Sequence, residues 1–392
     1  MLKLATNIDV KESIYDKKSD FNIKKFKIGS VGIDRPIKTI DAKAVKKDDI
    51  DRIIKNFSTP IFEYSKVVNL KAINNILRET SDIKIKKIFG FKTWMANYPY
   101  IFTHTFTFNP YVEFENVDDI SGYFYYYYDF SDPILLIPNI KIERYDMVTK
   151  KKIPIISIDD YIKFVNDVYH LLDYKNKKPI FVPVSLRFGI NDIKKLAKYY
   201  IKNDFLCVWF DFEGSAITKP KISRIRAFVR EYERAERLDD LVTYSTNIKR
   251  EIISNLKSEK TPASDVLTSL TGSNLVGVNR EPPRPIGITL SNEERKELRK
   301  HKARVFDPST YYYTKVTKYN SHAYDLLMRQ SYNILFNSQL LDTEFKIQTE
   351  HLLETGELEE YITKKQMIKE YKGGELGKVL FHKKVKKITE WF

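Results

Sequence analysis

FLCVWFDFEGSA, residues 205–216, is the stretch on which the fold turns. Six apolar residues run into Asp211 and Glu213, which flank Phe212, and the run stops at Gly214. Successive side chains of a strand point to opposite faces, so both carboxylates leave one face together where the strand ends. Either they carry chemistry, or they cap a strand and pair with a cation such as Arg224 or Arg226.

Outward from this run the pattern repeats. KPIFVPVSLRFG (178–189) is β-rich and closed by a glycine. INDIKKLAKYYIKND (190–204) sets Ile193, Leu196, Ala197, Tyr200 and Ile201 at helical spacing, with Asn191 or Asp192 able to cap it. Two near-continuous apolar strands joined by a helix make a parallel βαβ unit buried on both faces. Downstream, 221–240 predicts a helix, LVTYSTN (241–247) a strand, 248–260 a helix, SDVLTSLTG (264–272) a short helix and NLVGVNRE (274–281) a strand. Upstream, RPIKTIDA, TPIFEYSKV, KKIFGFKTW, YIFTHTFTFNP and GYFYYYYDF are further predicted strands. Eight or nine β-runs alternating with helices over about 280 residues predict an α/β fold, a (β/α)₈ barrel in preference to an open sheet. No G-x-G-x-x-G or G-x-x-x-x-G-K-[ST] follows a strand, against dinucleotide and P-loop folds.

The expected organisation is an N-terminal extension (1–28), the barrel (29–288) and a helical basic region (289–392). In the last, Ser291 with Glu294 is a capping-box pattern, 320–341 and 343–355 read as helical, and KKVKK (383–387) precedes ITEWF. A 42% hydrophobic content excludes global disorder. The net charge of +15 suits a polyanionic partner, or reflects a Lys-rich composition with no partner behind it. One cysteine, Cys207, leaves no intramolecular disulfide and no Cys-rich zinc site, as expected of a reducing, cytoplasmic setting. No apolar h-region or membrane-length span is present, so no membrane partner is expected.

Barrel chemistry gathers where strands end. Strand ends supply Asp41 with Lys43, Glu63 with Lys66, Asn109, Asp129 with Asp132, Ser185 with Arg187, Asp211 with Glu213, Ser245 with Asn247, and Asn279 with Arg280. Carboxylates dominate, and no two of the six histidines share a metal-like spacing, so neither a metal nor a cofactor is expected. In YFYYYYDFSDP (123–133), read as a strand, Tyr123, Tyr125, Tyr127 and Asp129 share a face. That face is either core or an aromatic wall for stacking a base. His104 reads as a core or rim histidine, and the Arg-rich helix 221–237 as a solvated outer face.

GSVGIDRPIKTIDAKAVKKDDI (29–50) resembles the opening of tRNA-guanine transglycosylases, and TPASDVLTSLTGSNLVGVNREPPR (261–284) is similar to their penultimate region. The resemblance spans about 29–285. The family's D-S-G-G-F-Q, its G-G-L strand and its C-x-C-x-x-C…H zinc site do not appear here. Its nucleophilic aspartate falls near Gly277, so that role cannot be carried over. The resemblance implies the barrel and base exchange on tRNA or DNA with a 7-deazaguanine. Such chemistry needs a carboxylate at the sugar C1′, a second acid/base for the purine, and a base held out of its stack.

The residues expected to meet these needs are Asp211 as nucleophile and Asp129 as acid/base or base-recognition group. Glu213, Asp132, Tyr127, Ser185, Arg187, Asn247, Asn279 and Arg280 are expected to bind substrate. A barrel without turnover that binds nucleic acid or a partner, and a barrel enzyme on a small molecule, are the rival expectations. A homodimer stands as the candidate assembly.

Overall fold

The computed structural model describes residues 6–97, 101–109, 121–146, 148–149, 151–175, 177–252, 258–280, 291, 293, 303–318 and 323–381. The architecture is mixed α/β, built on a curled, all-parallel sheet of six strands with many helices around it. The parallel strands, numbered in chain order, are β1 (37–41, broken at Thr39), β2 (Ile61–Val68), β3 (Ile101–Phe108) and β4 (135–140, broken at 137–138). They continue with β5 (Ile180–Ser185), β6 (Cys207–Ser215), β7 (Val242–Ile248) and β8 (Leu275–Val276). The six-stranded sheet runs β1-β8-β7-β6-β5-β4, using the first halves of β1 and β4. The second halves of the same two strands edge a four-stranded parallel sheet, β1-β2-β3-β4.

Parallel strands need crossovers, and helices supply them. Ile190–Lys202 joins β5 to β6, burying Ile193, Leu196, Ala197 and Tyr200, the face that the sequence spacing set out. Lys219–Arg234 joins β6 to β7 and buries Ile222, Ile225, Phe228 and Tyr232. At about 2 kcal/mol for each large apolar side chain removed from water, such stripes supply most of the stability of helices this short.

Some expected elements take another form. GYFYYYYDF is a helix, Ser121–Phe130, not a strand. Its buried residues are Tyr123, Phe124, Tyr127 and Tyr128, the i, i+1, i+4, i+5 positions of one helical face. A run that is aromatic at nearly every position has no period, so the alternation read into it carried no information. KKIFGFKTW is likewise not a strand: Asp82–Ile88 is helical and Gly90, at φ +77°, ends it. Within the expected helix 248–260, Glu251 bridges Ala263 and Ile252 N–H donates to Pro262, so its described ends are extended; 253–257 lie outside the described residues. The two helices expected over 320–341 and 343–355 form one, Gln330–Thr355, preceded by Tyr324–Leu327. Nearly all of SNEERKELRKH, and the tail from 382 on, lie outside the described residues.

The amino-end face of the parallel strands is covered. An antiparallel sheet of Val10–Tyr15, Asn22–Ile28 and Val31–Ile33 contributes Phe26, Ile28 and Ile33 to a buried cluster with Ile61, Ile101, Phe181, Cys207, Trp209 and Leu275. Gln330–Thr355 packs on β1, with Leu335 beside Ile40 and Phe62, and Asp342 bound to Arg35 and to the Lys38 N–H. No helix among the described residues is long and apolar enough to cross a membrane.

Candidate active site at the carboxyl ends of the parallel strands

Pairing register sets the site. Asp211 of β6 stands opposite Ser185 of β5 and Thr246 of β7, at the level where the apolar part of each strand ends. Its side chain is fully buried and accepts four hydrogen bonds. The donors are Asn139 Nδ2 and Asn247 Nδ2, each at 2.9 Å, the backbone N–H of Glu213 at 2.9 Å, and Thr107 Oγ1 at 3.4 Å. They come from β3, β4, β6 and β7, so one carboxylate ties four strands together. Tyr161 donates to Asn139 Oδ1 at 2.8 Å, and Ser65 of β2 to Asn247 Oδ1 at 2.7 Å. Those bonds fix both amides with their NH₂ groups toward Asp211.

Glu213 differs. Its side chain keeps 19% of its surface in solvent, accepting from Ser185 Oγ at 2.9 Å and from Arg187 Nε at 3.2 Å. Burial, and then the adjacent Asp211 charge, push its pKa above the usual glutamate range, while Arg187 opposes them. Glu213 and Asn247 both adopt the left-handed backbone, at φ +49° and +56°. For a glutamate this costs on the order of 1–3 kcal/mol, and such strain concentrates at functional sites. Lys141, just past β4, is held below the usual lysine range by burial and next by Arg280. The rim of this face thus gathers Lys141, Arg187 and Arg280 around Glu213.

A second buried network lies beside the first. Glu63 of β2 is fully buried and accepts from Thr39 Oγ1 (3.1 Å), Thr105 Oγ1 (2.5 Å), Thr246 Oγ1 (2.5 Å), the Tyr244 hydroxyl (2.5 Å) and Val278 N–H (2.9 Å). A Cβ at Gly277 would stand 2.3 Å from Thr246 Cβ and 2.6 Å from Glu63 Oε2. Gly277 therefore has no room for a side chain.

The expected site residues divide sharply. Asp211, Glu213, Ser185, Arg187 and Asn247 come together. Asn279 donates to buried Asp265 Oδ2 at 3.0 Å, and Arg280 follows it on the rim. Asp129 does not join them: it lies on an exposed helical turn, paired with Lys175 at 3.1 Å. Asp132 is 74% exposed beside Lys178, and its backbone pairs with Phe102, the second residue of β3. Thr107, which touches Asp211, is the seventh, so Asp132 and Asp211 are separated by about 16 Å along that strand. Tyr127 donates to the carbonyls of His104 and Leu136, as a core tyrosine. His104 is buried between Ser131 Oγ and the Phe89 carbonyl, and burial lowers its pKa to about 3. Asp41 accepts from Lys43 and Ala44 N–H groups as a turn cap.

Asn139, Thr107, Lys141 and Tyr161 were absent from the sequence expectations. The run ILLIPN (134–139) carries the signal that FLCVWFD carries, apolar residues closed by a polar one, in a shorter form broken by proline. No metal-like cluster of His, Cys, Asp or Glu is present among the described residues. No protein-family model matches the chain, and no curated protein matches it by sequence.

Proposed function

We propose that the parallel strands close into a (β/α)₈ barrel whose carboxyl-end face exchanges a base in nucleic acid, with Glu213 as the reacting carboxylate and Asp211 as the buried charge beneath it. Ring closure is supported by β1 and β4, each paired on both sides, and by Glu63, which takes donors from β1, β3, β7 and Val278, two residues past β8. The observation that carries the chemical reading is the contrast within one pair. Asp211 is sealed and has its lone pairs taken, whereas Glu213 reaches solvent, is held in a strained conformation and is pushed toward keeping a proton. A solvent-facing carboxyl group inclined to keep its proton suits the acid/base role, and the sealed Asp211 beside it, with all its lone pairs engaged, is fixed in place.

The steps then balance. The C1′–N9 bond of the leaving guanine breaks with its electron pair on N9, which takes the proton from Glu213. The oxocarbenium sugar is steadied by the Asp211 charge. An incoming 7-deazaguanine attacks C1′ through N9 and returns its N9 proton to Glu213. Lys141, Arg187 and Arg280 suit a phosphate-bearing substrate.

A second reading is favoured by Gly277: a barrel without turnover that binds nucleic acid, since the resemblance puts the family nucleophile near a residue that has no room for a side chain. Incorporation of labelled guanine or 7-deazaguanine into tRNA and into DNA separates the two. The first reading expects Glu213→Gln to lose about 10²–10⁴-fold in turnover with binding retained. Equal turnover in Glu213→Gln removes Glu213 from the reaction. A wild-type protein that binds tightly, loses affinity steeply with salt and exchanges nothing establishes the second reading.

A further inference from the structure

We propose that Lys221, Arg187 and Arg224 form a subsite for a nucleic-acid phosphodiester at the rim between β5 and the helix that follows β6. Lys221 lies in the first turn of Lys219–Arg234, is only 6% exposed, and its Nζ has no hydrogen-bond partner. Its Nζ lies over the ring of Phe212, 5.4 Å from the centroid. A buried ammonium without an acceptor is costly, and native structures rarely keep one unless a ligand or ion completes it.

Two of the surrounding groups are cations with donors to spare. Arg187 uses Nε on Glu213, and Arg224 uses Nη1 on the Leu186 carbonyl at 3.1 Å. Their remaining guanidinium N–H groups and Lys221 Nζ give more donors than one carboxylate can accept, but they match the oxygens of a phosphate. Burial lowers the Lys221 pKa to about 8, with Arg187 and Arg224 adding to the effect and Glu213 and Asp211 opposing it. A bound anion would relieve that repulsion. Thr218, at the N-cap, makes no side-chain cap, so the positive end of this 16-residue helix faces the same place.

The phosphate is assigned to a nucleic-acid chain on the strength of the proposed reaction: Arg187 also bonds Glu213, and Lys141 and Arg280 lie on the same rim, so a phosphate held at Lys221 would flank the base exchanged there.

The test is binding of a fluorescein-labelled 12-nucleotide single strand lacking a terminal phosphate, followed by anisotropy across a salt series. Lys221→Met and Arg224→Met are each expected to weaken binding tenfold or more and to reduce the slope of log K against log salt by about one. Lys221→Met removes an unpaired buried amine, so its melting temperature should equal or exceed that of wild type; Arg224→Met is the independent check. Both variants binding within twofold of wild type, with unchanged slope, overturn the proposal. Inorganic phosphate that binds wild type and not Lys221→Met, with no oligonucleotide binding, overturns the assignment to a phosphodiester. The readout is binding, so a protein that binds through Lys221 and exchanges no base keeps this site and loses the proposed reaction.

Discussion

Asn247 donates its amide to Asp211 Oδ1 at 2.9 Å while its own Oδ1 accepts from Ser65, and it does so from a left-handed backbone at φ +56°. β2, β6 and β7 are thereby held through one side chain. Asparagine tolerates the left-handed region better than other non-glycine residues, and its amide supplies one donor and one acceptor in the required places.

Replacing Asn247 with leucine should remove both bonds, leave a buried Asp211 lone pair unmet and force a branched residue into the left-handed region. About 3–5 kcal/mol of stability should go, read by urea denaturation. Asn247→Gly relieves the backbone and loses only the bonds, so it should cost less than leucine. The reverse order would mean that the conformation at 247 carries no strain.

Glu63→Gln tests the second network. Five donors converge on that carboxylate from four other strands or strand ends, and a glutamine would turn an NH₂ group toward some of them. A loss of about 3–5 kcal/mol is expected, comparable to breaking a buried ionic group's partnership. A loss under about 1 kcal/mol would mean that this network does not hold the strands together.

What could be read from the sequence, and what could not, follows from where information is local. FLCVWFDF and KPIFVPVS were legible as buried parallel strands because a continuous apolar run closed by polar residues has few other uses. Ile190–Lys202 was legible because its apolar positions repeat at 3.6. Ser121–Phe130 was not, since a run from Tyr123 to Phe130 that is aromatic at all but one position fits either period. Asp211, Glu213, Ser185, Arg187 and Asn247 could be named together because one rule, the strand end, selects all five. Asp129 failed the same rule through the misread helix beneath it. Lys221 was invisible, because its burial beside Phe212 and Arg187 depends on segments that meet only in three dimensions.

Gly277→Ala should be among the most damaging small substitutions in the chain. The added methyl would meet Thr246 Cβ at 2.3 Å, close to rigid backbone of β7, and the Glu63 carboxylate at 2.6 Å. Overpacking of this kind costs about 3 kcal/mol or more, and Gly277→Asp should cost more again by adding a buried charge. Denaturation midpoints decide it: an alanine variant within about 0.5 kcal/mol of wild type would mean that β8 can move away from β7.

Asp265 gives a pH signature with a definite sign. It is fully buried, Oδ2 accepts from Asn279 at 3.0 Å and from the Tyr313 hydroxyl at 2.9 Å, and Oδ1 has no partner. Burial raises its pKa to about 6, and the Lys38 charge opposes the rise. The folded protein therefore keeps a proton that the unfolded chain gives up near pH 4, so stability falls as pH rises from about 4 to about 6. At 1.36 kcal/mol per pH unit the fall is about 3 kcal/mol. His104, lowered to about 3, acts in the opposite sense: its contribution is complete above its unfolded value and is lost as pH falls. Asp265→Asn keeps His104 and removes the carboxyl. Wild-type stability minus that of Asp265→Asn should thus decline by about 3 kcal/mol between pH 4 and 6.5 and be level above. Urea denaturation at intervals across that range measures it, and a difference that stays constant with pH would mean that Asp265 titrates as it does in the unfolded chain.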